Sequence, residues 1–118
     1  MTKIVNFRGL DVWKLGKELV VEVYALTRRF PTDERFGMVA QMRRAALSIP
    51  CNIAEGFNRY HNKECRQFLF VALGSGAELE TQLEVSCELG YLDLSVCSRL
   101  LERLDHESRM LRNLIKKL

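Results

Sequence analysis

An all-α, antiparallel up-down-up-down four-helix bundle in a single domain is the fold this chain predicts, and three observations predict it. The 118 residues contain only 2 prolines and 7 glycines, so breaks are few and the elements are long. Apolar residues recur at steps of three and four along four successive stretches. The turns between those stretches are short, which makes consecutive helices antiparallel neighbours crossing at shallow angles. Nothing competes as a strand, and no internal repeat, low-complexity tract or linker divides residues 1–118. A composition of 47% hydrophobic and 28% charged residues suits one globular domain with its own core.

The first helix is expected over about 11–29, where Val12, Leu15, Leu19, Val23 and Leu26 form an apolar face. Phe30-Pro31 stops it, because a residue before proline is pushed out of helical geometry. The second is expected over about 33–58, with Thr32 as N-cap and Asp33 and Glu34 set against the helix dipole. Its apolar positions are Phe36, Val39, Met42, Ala46, Ile49, Ile53 and Phe57. Asn62 is placed to cap a third helix over about 63–89, whose seam runs Cys65, Leu69, Ala72, Gly76, Leu79, Leu83 and Ser86. Gly90 suits its C-terminal cap. Asp93 is the N-cap of a fourth, over about 94–117, with Leu94, Cys97, Leu101, Leu104, Ser108, Leu111, Ile115 and Leu118 as its seam.

The segment "RRAALSIPCNIAEGFNR" disturbs this pattern, because Pro50 falls inside the second helix and removes a backbone donor there. Around it, Gln41, Arg44, Ser48, Asn52, Glu55 and Arg59 make a continuous polar stripe. On the third helix Glu80, Glu84 and Glu88 form a row, with Glu78 and Gln82 beside it. Arg43, Arg44, Ser48, Asn52, Glu55, Glu78 and Glu80 are therefore expected to form a structural polar cluster, with arginine–carboxylate pairs fixing helix register. Two readings of the stripe stand side by side. One is a kinked helix whose freed carbonyl is repaired by Ser48 or Asn52, and the other is a recognition or assembly surface.

Chain topology brings the start of the first helix, the turn between the second and third, and the end of the fourth to one pole. There Lys3, Arg8, Lys14, Arg59, His61, Lys63, Arg66, Arg112, Lys116 and Lys117 outnumber Asp11, Glu55 and Glu64. The other pole mixes Arg28, Arg29, Arg35 and Arg99 with Asp33, Glu34, Glu84, Glu88, Asp93 and Glu102. The basic pole is a candidate for binding RNA or DNA phosphates, with Tyr60 available to stack on a base. A net charge of +3 does not argue this alone, and no groove-reading motif is present. Trp13, Val20, Tyr24, Phe30, Phe68 and Phe70 exceed what one small core requires, which points to a subunit interface.

Two longer passages, "FRGLDVWKLGKELVVEVYALTRRFPTDERFGMVAQMRRAALSIPCNIAEGFNR" and "FLFVALGSGAELETQLEVSCELGYL", give the chain a resemblance over nearly its whole length. It resembles the bacterial four-helix-bundle proteins of the 23S ribosomal RNA intervening-sequence family. "QMRRAALSIPCNIAEG" and "GSGAELETQL" carry most of the likeness, with small departures at Cys51 and Gly76. The resemblance implies a homopentamer without accepted catalytic residues. Similarity to the accessory protein of diversity-generating retroelements implies association with nucleic acid, and with it a non-catalytic adaptor. A protein-binding or structural scaffold with no nucleic-acid role is the alternative.

Other chemistries find little support. Cys51, Cys65, Cys87 and Cys97 are far apart with no paired spacing, so they read as small core residues rather than metal ligands. The Glu-x-x-His motif of di-iron bundles does not occur, and "GSGAE" lacks the Lys-Ser/Thr of a phosphate loop. No enzyme activity, cofactor or metal is expected. The start "MTKIVNFRGLDVW" has no secretory pattern and no apolar run is long enough to span a bilayer, so the expected location is cytoplasmic, away from membranes.

Overall fold

A computed structural model of the protein describes residues 6–118. A 3-10 turn at Phe7–Gly9 leads into α1 (Asp11–Thr27), and a second at Thr32–Glu34 leads into α2 (Met38–Phe57). Helices α3 (Asn62–Glu88) and α4 (Leu94–Lys116) follow. Each helix packs on its chain neighbours and α1 closes against α4, which makes the four-helix bundle. The molecule measures 48 × 24 × 20 Å. Among the described residues, no helix is long and apolar enough to cross a membrane.

Helix ends follow local chemistry. Helix α2 starts at Met38, five residues later than its acidic signal suggests, because Thr32–Glu34 closes as a separate 3-10 turn. Glu34 still serves the α2 N-terminus: its Oε1 accepts the Met38 backbone N–H at 3.2 Å. Neither Thr32, Asn62 nor Asp93 caps through its side chain; Asn62 is itself the first residue of α3. Gly90 ends α3 as expected, at φ +81, with Tyr91 N–H donating to Ser86 O at 2.9 Å and Gly90 N–H to Cys87 O at 3.0 Å. That is a Schellman motif.

The α3 seam is buried from Cys65 through Ser86. Val12, Leu19 and Val23 of α1 meet Met42, Ala46, Ile49 and Ile53 of α2 in the same core. Each fully buried leucine or isoleucine contributes about 2 kcal/mol of transfer free energy. Helices α2 and α3 approach closely at Gly56, where an added Cβ would lie 3.1 Å from both the Cys65 carbonyl oxygen and Phe68 Cβ. Cys65 and Cys97 are core residues, and burial lifts the Cys97 thiol to about 11. Cys87 is half-buried. Cys51 faces outward, contrary to its reading as a core residue, because Ile49, Pro50 and Ile53 take the inner face of that turn.

Helix α4 buries Cys97, Leu104, Ser108 and Leu111 of its expected seam but brings two further residues inward. Leu94 is 78% exposed, while Leu100 and Glu107 are inside. The buried row is Cys97, Leu100, Leu104, Glu107 and Leu111, with Ser108 beside it. Glu107 is 1% exposed, and neither carboxyl oxygen has a hydrogen-bond partner among the described residues. Gly16 of α1 leaves the space it occupies: a Cβ there would be 3.0 Å from Glu107 Oε2 and 3.5 Å from both Ile49 Cγ2 and Pro50 Cβ. Burial pushes the Glu107 carboxyl up to about 8, so at neutral pH it is held as the uncharged acid.

Candidate nucleic-acid interface

Residues 58–61 turn the chain from α2 into α3, and Arg66 in the first turns of α3 donates from Nη2 to the Leu118 carbonyl at 3.2 Å. This bond sets the start of α3 beside the end of α4. The Phe7–Gly9 turn packs on α1 and α2 at the same end. Arg8 lies over the Phe7 ring at 4.7 Å, and Phe7 meets Trp13 edge-on at 5.4 Å. Around this pole Lys14, His61, Lys63, Lys116 and Lys117 are exposed. Tyr60 is 70% exposed, its ring 5.7 Å from that of His61. Lys3 lies outside the described residues.

Two cations of the set, Arg59 and Arg66, are already engaged, and a third, Arg112, lies in the field of a carboxylate. Arg59 pairs with Glu55 at 2.7 Å and stacks over Phe68 at 4.8 Å. Arg66 is half-buried and its Nε is enclosed without a partner, as is Asn62 Oδ1 one turn before it. Arg112 acts on Glu80 of α3, whose carboxyl is nevertheless raised, first by desolvation and then by Asp105 and Glu84. Among the described residues, no ion pair engages Lys14, Lys63, Lys116 or Lys117.

The expected polar cluster divides in two. Arg43 points to α1 rather than to the α3 carboxylates, donating from Nε to Thr27 Oγ1 at 3.0 Å and from Nη2 to the Tyr24 carbonyl at 3.3 Å. Arg44 and Glu78 are exposed, and Glu55 belongs to Arg59. Ser48 and Asn52 turn to α3 instead. Asn52 Nδ2 donates to the Ser48 carbonyl at 2.8 Å and to Ser48 Oγ at 2.9 Å, and Ser75 Oγ donates to Ser48 Oγ at 2.7 Å. Asn52 thus reaches the Ser48 carbonyl rather than that of Ala46, which Pro50 deprives of its helical donor, so the stripe's middle bridges two helices instead of making that repair, while its ends face solvent. Register-fixing ion pairs do exist, but between α1 and α4. Arg103 meets Glu22 and Glu18, each at 2.6 Å, and Arg99 also pairs with Glu22. The i, i+4 spacing of Glu18 with Glu22, and of Arg99 with Arg103, carried that signal in the sequence.

Residues 8–113 match the family described as 23S rRNA-intervening sequence protein. The chain belongs to that family. In this member of it, the two motifs that carry the likeness meet in space, since Ser48 of the first, held by Asn52, accepts a hydrogen bond from Ser75 of the second. Gly76 is buried, and a Cβ there would sit 3.6 Å from Ser108 Oγ. A crystal structure from Bacteroides thetaiotaomicron, of a protein with unknown function from the S23 ribosomal protein family, has the same fold. It superposes with a TM-score of 0.83 at 23% identity, over 89% of this chain and 95% of that one. The chain matches no curated protein.

Proposed function

We propose that this protein is a non-catalytic, cytoplasmic adaptor that self-assembles, as a homopentamer, and binds RNA or DNA phosphates through its basic pole. The observation that carries the reading is the Arg66–Leu118 bond, which gathers the α2–α3 turn and the α4 end around an exposed Tyr60. Lys63, Lys116 and Lys117 supply adaptable charge for phosphates, and Tyr60 offers a face for one base. Repetition of the pole around a ring multiplies its field. A second reading, a scaffold for protein partners, is supported by the exposed apolar residues Val21, Leu47, Phe70 and Val71.

Fluorescence anisotropy with structured RNA and with duplex DNA across a salt series tests the first reading. The Lys63→Glu, Lys116→Glu and Lys117→Glu triple variant is preferable to one at Arg59 or Arg66, which hold structure. Wild-type binding should weaken steeply with salt. The variant should bind at least about tenfold more weakly, with a log–log salt slope on duplex DNA shallower by about 0.9 for each phosphate it no longer neutralises. Wild-type protein that fails to bind at low salt would refute the reading and favour the scaffold.

A further inference from the structure

A cavity of about 270 Å³ lies at the opposite end of the bundle, where α1 hands over to α2. Its walls include Arg28, Arg35 and Arg43, with Thr27 and Thr32 among them and Phe30 and Val39 as buried apolar floor. No carboxylate lines it. Among the described residues, ion pairs engage Arg59, Arg99, Arg103 and Arg109 but none of these three arginines. The acids of the adjoining turn are turned elsewhere or lie outside the walls. Glu34 spends Oε1 on the Met38 N–H and Oε2 on the Tyr91 hydroxyl at 2.7 Å, and Asp33 is not part of the lining.

Arg43 is built into place. Its bonds to Thr27 Oγ1 and the Tyr24 carbonyl, with the guanidinium carbon 4.5 Å from the Tyr24 ring centre, fix the plane of the group. Thr27 is itself buried and locked, its hydroxyl donating to Val23 O at 2.7 Å. Nη1 of Arg43 has no partner among the described residues. One arginine is enough to serve the carbonyl end of α1; Arg28 and Arg35 make no such bond, yet stand at the same cavity.

We infer that this cavity binds a phosphate dianion, free or at the end of a monoester, with Arg43 as the fixed donor and Arg28 and Arg35 closing on it from the exposed side. Guanidinium groups match phosphate oxygens in pairs, and Thr32 adds a hydroxyl. A terminal phosphate, whether inorganic phosphate or the 5′-phosphate end of a nucleotide or strand, presents more charge and more free oxygens to three arginines than a bridging phosphodiester does. The site is separate from the basic pole and does not depend on the proposed function.

The test is calorimetric titration of the full chain with inorganic phosphate at constant ionic strength. A parallel arm compares a short oligonucleotide with and without its 5′-phosphate. Saturable binding of one phosphate per chain is expected. Arg28→Gln with Arg35→Gln, both at exposed positions, should weaken it by at least about tenfold. The Lys63→Glu, Lys116→Glu, Lys117→Glu variant should leave it unchanged. A gain in affinity from the 5′-phosphate that the arginine variant abolishes identifies a strand or nucleotide end as the source; phosphate binding without that gain identifies the free anion. Absence of saturable phosphate binding, binding that survives the double substitution, or binding abolished in the lysine variant would overturn the inference.

Discussion

Glutamine in place of Glu107 is expected to flatten much of the protein's loss of stability between mildly acidic and mildly alkaline pH. The unfolded chain gives up this proton near the ordinary value of 4.5, whereas the folded chain keeps it to about 8. Between those values the folded state carries the extra proton, so every unit rise in pH costs about 1.4 kcal/mol of stability. Stability linked to this group is complete below the lower value and has fallen by about 5 kcal/mol above the upper one. The Glu107→Gln variant cannot titrate, so the gap between it and the wild type should widen steadily over that window and then level off. Urea unfolding of both proteins at several pH values measures the gap. Parallel pH profiles would show that Glu107 is charged or solvated in the folded protein. Glu107→Met, which leaves no polar atom unpaired, should gain a further increment of about 1–3 kcal/mol at every pH.

Valine at Gly56 should destabilise the bundle by about 3 kcal/mol. The new Cβ would meet a backbone carbonyl oxygen, that of Cys65, and the first carbon of the Phe68 side chain, each at 3.1 Å. Neither is the far end of a flexible chain, so relief requires α2 and α3 to separate. Alanine carries the same Cβ but recovers about 1 kcal/mol of helix propensity, so its cost should be smaller. A lowered urea midpoint with the helical circular dichroism retained is the expected result. An unchanged midpoint would mean that the two helices can part without loss.

Much of this architecture is legible in the residues. The α3 seam from Cys65 to Ser86 reads correctly because small and apolar side chains alternate there without a rival face. In helix α4 Cys97, Leu104, Ser108 and Leu111 read correctly, but Leu100 and Glu107 do not, because Leu101 is as apolar as Leu100 and a carboxylate gives no sign of an inner position. The steps Leu100, Leu104, Glu107, Leu111 mark the other half of the buried face, and they run through a carboxylate. Gly16 gives no warning by itself, since its role is to leave room for an atom on another helix. The basic pole follows from topology and is legible to that extent. Which arginines are already committed is not, because Arg43 and Arg66 find backbone carbonyls on α1 and at Leu118, partners that side-chain patterns do not encode.

The α1–α4 seam is the least extensive of the four helix–helix seams, and exposed or half-buried ion pairs run along it. It also joins the two helices farthest apart in the chain, whereas α2 and α3 are linked by a turn of a few residues. Loop-closure entropy sets against this seam more than any other, and its reward is partly charge rather than buried carbon. In folding, it is therefore expected to close late, after the α2–α3 hairpin, and added salt should speed its opening more than it slows its formation. The bundle in this sense has a hinge side and a clasp, and the clasp is electrostatic.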